Sequence, residues 1–475
     1  MFLNRLFSNT LIFAIGPQLP KIASLFVLPI ITQYLTPMDY GISGVVTAYT
    51  SFFAVLGELG FSVLLMNSYY NYKNRWKYRW RQLHFYLSVW AIFYGVLVAT
   101  LLHFVIPMEA AENKWQIIFC VVVPAMVFNV TIFFATRYYQ YSGKPLYLGI
   151  VSALIGIISI LLNLYFIAYL RLAYMGWFYS MFIASFLGFL AYCIPLYFKH
   201  RIIPIPLFNW VRLKNYLKVS LPVIPHYYSS SLLNSSDRLV MERLKVSTGE
   251  IGGYSLAYTF GSYMDFLGNA VGMAIGPLQT KLLSDKSKVS NKANWFITHW
   301  LQSSFILICF LVALWMKELF SILVKNPELT QYYDLGIIII MGYTYRPYYW
   351  ASVNRLIYSE NTSQLWKISF IAGVVNVILN LIFIPLYGIM AAAISTFISL
   401  IYVGFSGFYL KSYKENETEK YHPAWVIVII TLSTVLVFLM RDIQIHLKWI
   451  LTLVFPAVYL LYWYKQRKGF RQISW

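Results

Sequence analysis

The stretch "SALIGIISILLNLYFI" at residues 152–167 returns as "SFIAGVVNVILNLIFI" at residues 369–384, with serine, glycine, Leu-Asn-Leu, phenylalanine and isoleucine in register. Each copy is long and apolar enough to form most of a membrane-crossing helix, and each carries one asparagine, Asn163 or Asn380, inside it. Other matches follow in the same order. Pro17 and Pro20 correspond to Pro222 and Pro225, the turn "TPMDYG" at 36–41 to "STGEIG" at 247–252, and "LGE" at 56–58 to "LGN" at 267–269. A repeat at this spacing is the mark of two structural halves.

Composition fixes the solvent of those halves. Hydrophobic residues make up 59% of the 475-residue chain and charged residues 11%, a balance suited to a bilayer interior. Apolar runs of roughly 20 residues recur from Asn9 to Trp463, and about fourteen spans can be counted. The first copy of the repeated helix is the fifth span and the second is the eleventh. An even number of crossings separates them, so the halves are parallel repeats. The fold class expected is an all-α polytopic membrane protein with about 14 transmembrane helices, two parallel six-helix lobes around a central cavity plus two C-terminal helices. The expected divisions are 1–205 for the N-lobe, 206–412 for the C-lobe, and 413–475 for two extra spans and a basic tail.

The first apolar segment lacks the short core and small-residue cleavage site of a signal peptide, and is expected to be retained. The three cysteines fall inside spans, where they act as small hydrophobes, and no metal site or disulfide framework is expected. The net charge of +20 would suggest nucleic acid in a soluble protein. Here about 25 basic residues fall in alternate loops on one side and about 8 on the other. The positive-inside rule makes the rich side cytoplasmic, with both termini there, and leaves no nucleic-acid partner. The segment "HRIIPIPLFNWVRLKN" at 200–215 mixes cations, prolines and aromatics, and reads as a strap lying on that surface.

Three stretches carry a family likeness: "LPIITQYLTPMDYGISG" at 28–44, "NSSDRLVMERLKVSTGEIGGYSLAYTFG" at 234–261 and "VVNVILNLIFIPLYGIMAAAISTFISL" at 374–400. Over roughly the first 410 residues the chain resembles the polysaccharide (O-antigen type) flippases of the multidrug, oligosaccharidyl-lipid and polysaccharide exporter superfamily. The resemblance implies a carrier of undecaprenyl-diphosphate-linked oligosaccharide across the bacterial inner (cytoplasmic) membrane. It implies the lipid-linked substrate and membrane lipids as partners, a polysaccharide polymerase and glycosyltransferases as associates, and antiport coupled to H+ or Na+ as the energetic option. A related drug or small-molecule exporter shares the architecture. A membrane polymerase is the enzymatic alternative. The outer breaks are too short for a catalytic domain, and no nucleophile motif, zinc spacing or phosphate loop is present, so no catalytic residue and no cofactor is expected.

A diphosphate and its sugars need polar partners to replace water. The ionisable residues inside spans are Lys21, Glu58, Asp237, Arg238, Asp265 and Arg346. Each would cost about 2.5–3.5 kcal/mol facing lipid, which directs them to the protein interior or a wet cavity. Lys21, Arg346 and Arg238 are substrate-binding candidates. Glu58, Asp265 and Asp237 are ion-coupling candidates. For each a structural reading stands beside the functional one: Asp237 with Arg238 as a local charge pair, Lys21 and Arg346 as partners of carboxylates, Glu58 and Asp265 as hydrogen-bonded packing groups. Asn163 and Asn380 are expected to bond neighbouring helices.

Overall fold

A computed structural model describes residues 19–72, 75–285, 287–359, 364–415 and 419–466. Pro17 and most of the C-terminal basic tail lie outside the described residues. Among those described, every regular element is a helix. The long ones are α1 (Leu19–Ile31), α2 (Pro37–Gly57), α3 (Phe61–Asn71), α4 (Trp76–Val105), α5 (Lys114–Val123), α6 (Asn129–Tyr141), α7 (Pro145–Asn163), α8 (Met175–Ile194), α9 (Trp210–Ser220) and α10 (Ile224–Arg243). They continue as α11 (Thr248–Asp285), α12 (Lys288–Leu314), α13 (Met316–Leu323), α14 (Tyr333–Gly342), α15 (Arg346–Tyr358), α16 (Leu365–Tyr387), α17 (Ile389–Ser406), α18 (Pro423–Leu439) and α19 (Ile445–Gln466). Nine helical segments among the described residues are long and apolar enough to cross a bilayer on their own. This is an all-α, multi-pass membrane protein.

Several apolar runs that read as single spans are broken. The run 41–69 divides into α2 and α3 because Leu59 and Gly60 take left-handed backbone, with φ of 50° and 67°. Glycine is required at the second position: a Cβ on Gly60 would lie 2.5 Å from the Ser220 carbonyl oxygen. Hydropathy does not register a reversal of φ, so the interruption is invisible to a sliding window. Between α5 and α6 the chain passes through a π-turn at Pro124–Phe128, where the proline removes a ladder donor. A 3₁₀ turn at Leu221–Val223 separates α9 from α10, and another at Tyr343–Tyr345 separates α14 from α15.

The chain packs into two compact units, Met1–Gly252 and Gly253–Trp475. In the first, α10 lies along α2, tied by a Tyr49 hydroxyl that donates to Glu242 over 2.6 Å, and reaches α3 through Ser62 and Tyr227 hydroxyls 2.9 Å apart. The two turns matched in sequence are matched in structure. Thr36 and Asp39 form a capping box at the start of α2, and the Ser247 hydroxyl donates to Glu250 over 2.7 Å at the start of α11. These starts press together: a Cβ on Gly41 would lie 1.8 Å from the Thr248 carbonyl oxygen, and one on Gly252 1.8 Å from that of Pro37. An aromatic core around Trp80, Phe134 and Tyr139 joins α4, α6 and α8.

In the second unit α16 and α17 form an antiparallel pair around Gly388, and Trp350 of α15 packs with Ile297, Leu301 and Phe305 of α12. The last two helices are fastened by charge. Lys448, wholly buried, donates to both carboxylate oxygens of Glu318 over 2.7 and 2.9 Å and to the Arg441 carbonyl over 2.8 Å, while Arg441 lies 3.1 Å from Asp334.

Candidate functional site

The first unit holds two adjoining cavities, about 540 and 650 Å³, that share Ile132, Thr136, Met181 and Ser185 in their walls. Their polar linings differ. The first contains Glu58 with Arg137 and Asn129. The second contains Lys21 with Asn163, Trp177 and Tyr192 and four serines, Ser43, Ser152, Ser159 and the shared Ser185.

Each charged group is delivered by a local feature of the chain. Glu58 caps the C-terminal end of α2 at the left-handed break, so its carboxylate emerges where the helix stops. At the break the indole of Trp90 donates to the Leu56 carbonyl over 2.8 Å, beside the backbone bond from Leu59 at 3.3 Å. Arg137 sits on α6 at the end of an Asn129, Phe133, Arg137 row, spaced i, i+4, i+8 on one face, and all three line the cavity. Its guanidinium lies 5.5 Å from the Phe133 ring centre and donates to the Gln140 side chain over 3.0 Å. Lys21 comes from α1, which packs on α7; a Cβ on Gly156 would meet Pro20 at 2.1 Å. Glycine at 156 therefore lets the lysine-bearing helix lie against α7.

Arg137 stands just past the apolar run 115–136, where hydropathy alone counts it as loop charge. The helix runs to Tyr141, and the i, i+4 row with Asn129 is the signal that identifies it as a lining residue.

The remaining candidates lie elsewhere. Asp237, fully buried, is in α10, and Arg238 beside it donates to the Asn234 carbonyl over 3.0 Å. Asp265 and Arg346, in the second unit, form an ion pair with each other. Asn269, one turn from Asp265, completes the group: its amide nitrogen donates to Asp265 over 2.9 Å and its oxygen accepts from Arg346 over 3.2 Å. The stem of Arg346 crosses Gly268, where a Cβ would stand 3.3 Å from it. The two asparagines of the repeated helix also differ. Asn380 bonds Asn376 on its own helix over 3.0 Å, whereas Asn163 faces the cavity and its buried oxygen has no hydrogen-bond partner among the described residues. The expected bond to a neighbouring helix is thus replaced in Asn163 by exposure to the cavity. Among the described residues no cluster of histidine, cysteine, aspartate and glutamate could hold a metal ion.

Multiple helices long enough to cross a bilayer and a charged, serine-lined cavity define a membrane protein with a polar cleft. The chain belongs to the polysaccharide biosynthesis protein family, whose model matches residues 6–283. Its fold is similar to those of several solved membrane transporters. A structure of the lipid II flippase MurJ in an inward closed conformation superposes with a TM-score of 0.67 at 14% identity, covering 91% of this chain and 98% of the other. An inward-facing multidrug resistance transporter of the MATE family matches at 0.63 and 13% identity, covering 88% and 95%. An outward-facing MATE structure matches at 0.54 and 14%, covering 90% and 96%. No curated protein matches the chain in sequence.

Proposed function

We propose that this protein is a flippase that carries an undecaprenyl-diphosphate-linked oligosaccharide from the cytoplasmic to the outer leaflet of a bacterial inner membrane, for O-antigen type polysaccharide assembly. The observation that carries the proposal is the pair of adjoining cavities in the first unit, where Arg137 in one and Lys21 in the other stand among hydroxyls, amides and aromatic rings. A diphosphate calls for the cations and a glycan for the hydroxyls and rings. In the second unit Arg346 is already neutralised by Asp265. On this reading Lys21 and Arg137 take the headgroup, and the Asp265, Asn269 and Arg346 group holds α11 to α15 until substrate charge competes for Arg346. Arg238, on α10, is a further candidate for contact with the substrate.

Glu58 is the proton or sodium coupling site in this account, because it lines a cavity together with the cation Arg137. Asp237 and Asp265 serve structure in the resting protein. The repeat supplies the mechanical elements: lobes at 1–205 and 206–412 rock about the site, with 413–475 appended. The protein acts as a carrier and performs no bond chemistry. Export of a cationic drug, the option raised by the MATE likeness, fits cavities bearing Lys21 and Arg137 poorly. Deletion of the gene tests the proposal. Complete, unpolymerised glycolipid retained on the cytoplasmic face supports flipping; the same glycolipid exposed outside identifies a polymerase defect instead.

A further inference from the structure

One end of the first unit carries cations without any compensating acid. The stretches 71–81, 137–147 and 197–218 contain lysine and arginine throughout and not one aspartate or glutamate, and the whole segment between Glu112 and Asp237 is free of acid. Topology does not require this, because membrane orientation responds to lysine and arginine and is little affected by acids. The second half of the chain shows as much: its basic stretches 281–292 and 411–420 include Asp285, Glu415, Glu417 and Glu419.

The structure gathers these stretches. His200 follows the π-turn that ends α8, and its ring lies 4.3 Å from that of Tyr138, with Nδ1 3.0 Å from the hydroxyl. Lys77 from α4, Lys144 from the start of α7 and Lys199 surround it. Burial and then those three lysines hold the imidazole below the ordinary histidine range, so the cations converge closely enough to share a field. The strap that follows is pinned to α4: Arg81 donates to the Ile203 carbonyl over 2.8 Å, and the Asn209 amide donates to the Tyr86 hydroxyl over 3.1 Å. Held this way, it leaves Phe208, Trp210 and Val211 exposed at 59, 64 and 69% between Arg201 and Arg212. Apolar side chains and cations presented together on a fixed backbone suit the headgroup layer of a bilayer and nothing fully aqueous.

We infer that the acid-free end of the first unit, formed by Lys77, Lys144, Lys199, His200 and the 201–212 strap, is a docking surface for anionic bilayer phospholipid. The occupant is the phosphodiester headgroup of a lipid such as phosphatidylglycerol, seated on the lysines with its glycerol region against Phe208 and Trp210. The surface is distinct from the transport cavity and holds whether or not the carried lipid is an oligosaccharide carrier.

The test uses the delipidated full-length protein in neutral detergent, titrated with short-chain phosphatidylglycerol, short-chain phosphatidylcholine or inorganic diphosphate. Phosphatidylglycerol is expected to bind in preference to phosphatidylcholine, with affinity falling as salt rises. The combined Lys77→Gln, Lys144→Gln and Lys199→Gln variant should lose on the order of a hundredfold, at about fivefold for each of the three cations at a membrane surface. The corresponding Lys→Arg variant should bind like the unmodified protein, which separates charge from folding. A control variant with Lys281→Gln, Lys288→Gln and Lys292→Gln, in the acid-compensated stretch, should bind normally. Equal affinity for the two phospholipids, or an equal loss in the control variant, would overturn the inference. Displacement of phosphatidylglycerol by an equal concentration of inorganic diphosphate would also overturn it, by marking a site for free phosphate or the substrate headgroup.

Discussion

Replacing Asp265 with asparagine should destabilise the second unit and leave substrate binding intact or stronger. In the folded protein the Arg346 side chain is 12% exposed and that of Asp265 32% exposed, so the pair is buried at one end and wetted at the other. Removing one member of a fully buried pair costs about 3–5 kcal/mol; water at Asp265 lowers the expectation for Asp265→Asn to about 2–3 kcal/mol. Arg346→Met leaves the more exposed carboxylate behind and should cost about 1–2 kcal/mol. Replacing both at once, Asp265→Asn with Arg346→Met, removes both charges and should cost less than the sum by about 2 kcal/mol. The melting temperature of purified protein in nanodiscs gives the cycle, with single-variant losses of about 5–10 °C. Binding of the lipid-linked oligosaccharide read in parallel separates the roles, because Asp265→Asn frees the guanidinium. Additive effects of the two substitutions would refute the pairing. Weakened binding in Asp265→Asn would refute the claim that this carboxylate restrains Arg346.

Gly41→Val places methyl groups where the Thr248 carbonyl stands, and should part the starts of α2 and α11, raising the labelling of a cysteine placed at 248; unchanged labelling contradicts the close approach. Glu58→Gln should abolish stimulation of transport by an ion gradient while leaving the protein folded, and retained stimulation removes Glu58 from coupling. The contact of Lys317 with Asp442 fastens the loop before α19, and a hydrogen bond from that lysine holds the aspartate below its ordinary range. Its contribution is therefore present above the unfolded carboxylate value near 4 and lost as pH falls through the lower folded value, so protease cleavage of the 440–444 loop should rise only below about pH 4. A rise at pH 6 would point to another group. A cysteine at position 76 should react with an impermeant reagent from the cytoplasmic side alone, and labelling from outside intact spheroplasts contradicts the orientation.

What the amino-acid pattern reveals here is repetition and hydropathy. The paired turns at 36–41 and 247–252 were recognisable as equivalent, and the structure gives both the same Ser/Thr-to-acid cap and packs them together. The repeated helix with Asn163 and Asn380 was equally clear, yet one amide bonds within its helix and the other faces a cavity. That difference is set by neighbours distant in sequence, which periodicity does not encode. The break at Leu59 and Gly60 lay hidden inside an apolar run, because hydropathy averages over a change in backbone sign. Arg137 escaped notice for a related reason: a cation one residue past an expected span end counts as loop charge until the helix is seen to continue. Lys21 and Glu58 were marked by the cost of burying charge in a bilayer, and each lines one of the adjoining cavities.

The central claim is that the adjoining cavities around Lys21 and Arg137 carry a lipid-linked oligosaccharide headgroup across the bilayer. The most direct measurement reconstitutes purified protein into sealed vesicles holding fluorescent undecaprenyl-diphosphate oligosaccharide, and follows arrival of the glycan at the outer leaflet by a membrane-impermeant lectin. The account predicts arrival that depends on the protein and is lost in a folded Lys21→Ala, Arg137→Ala double variant. Arrival at the same rate in empty vesicles, or in vesicles holding that variant, would contradict it.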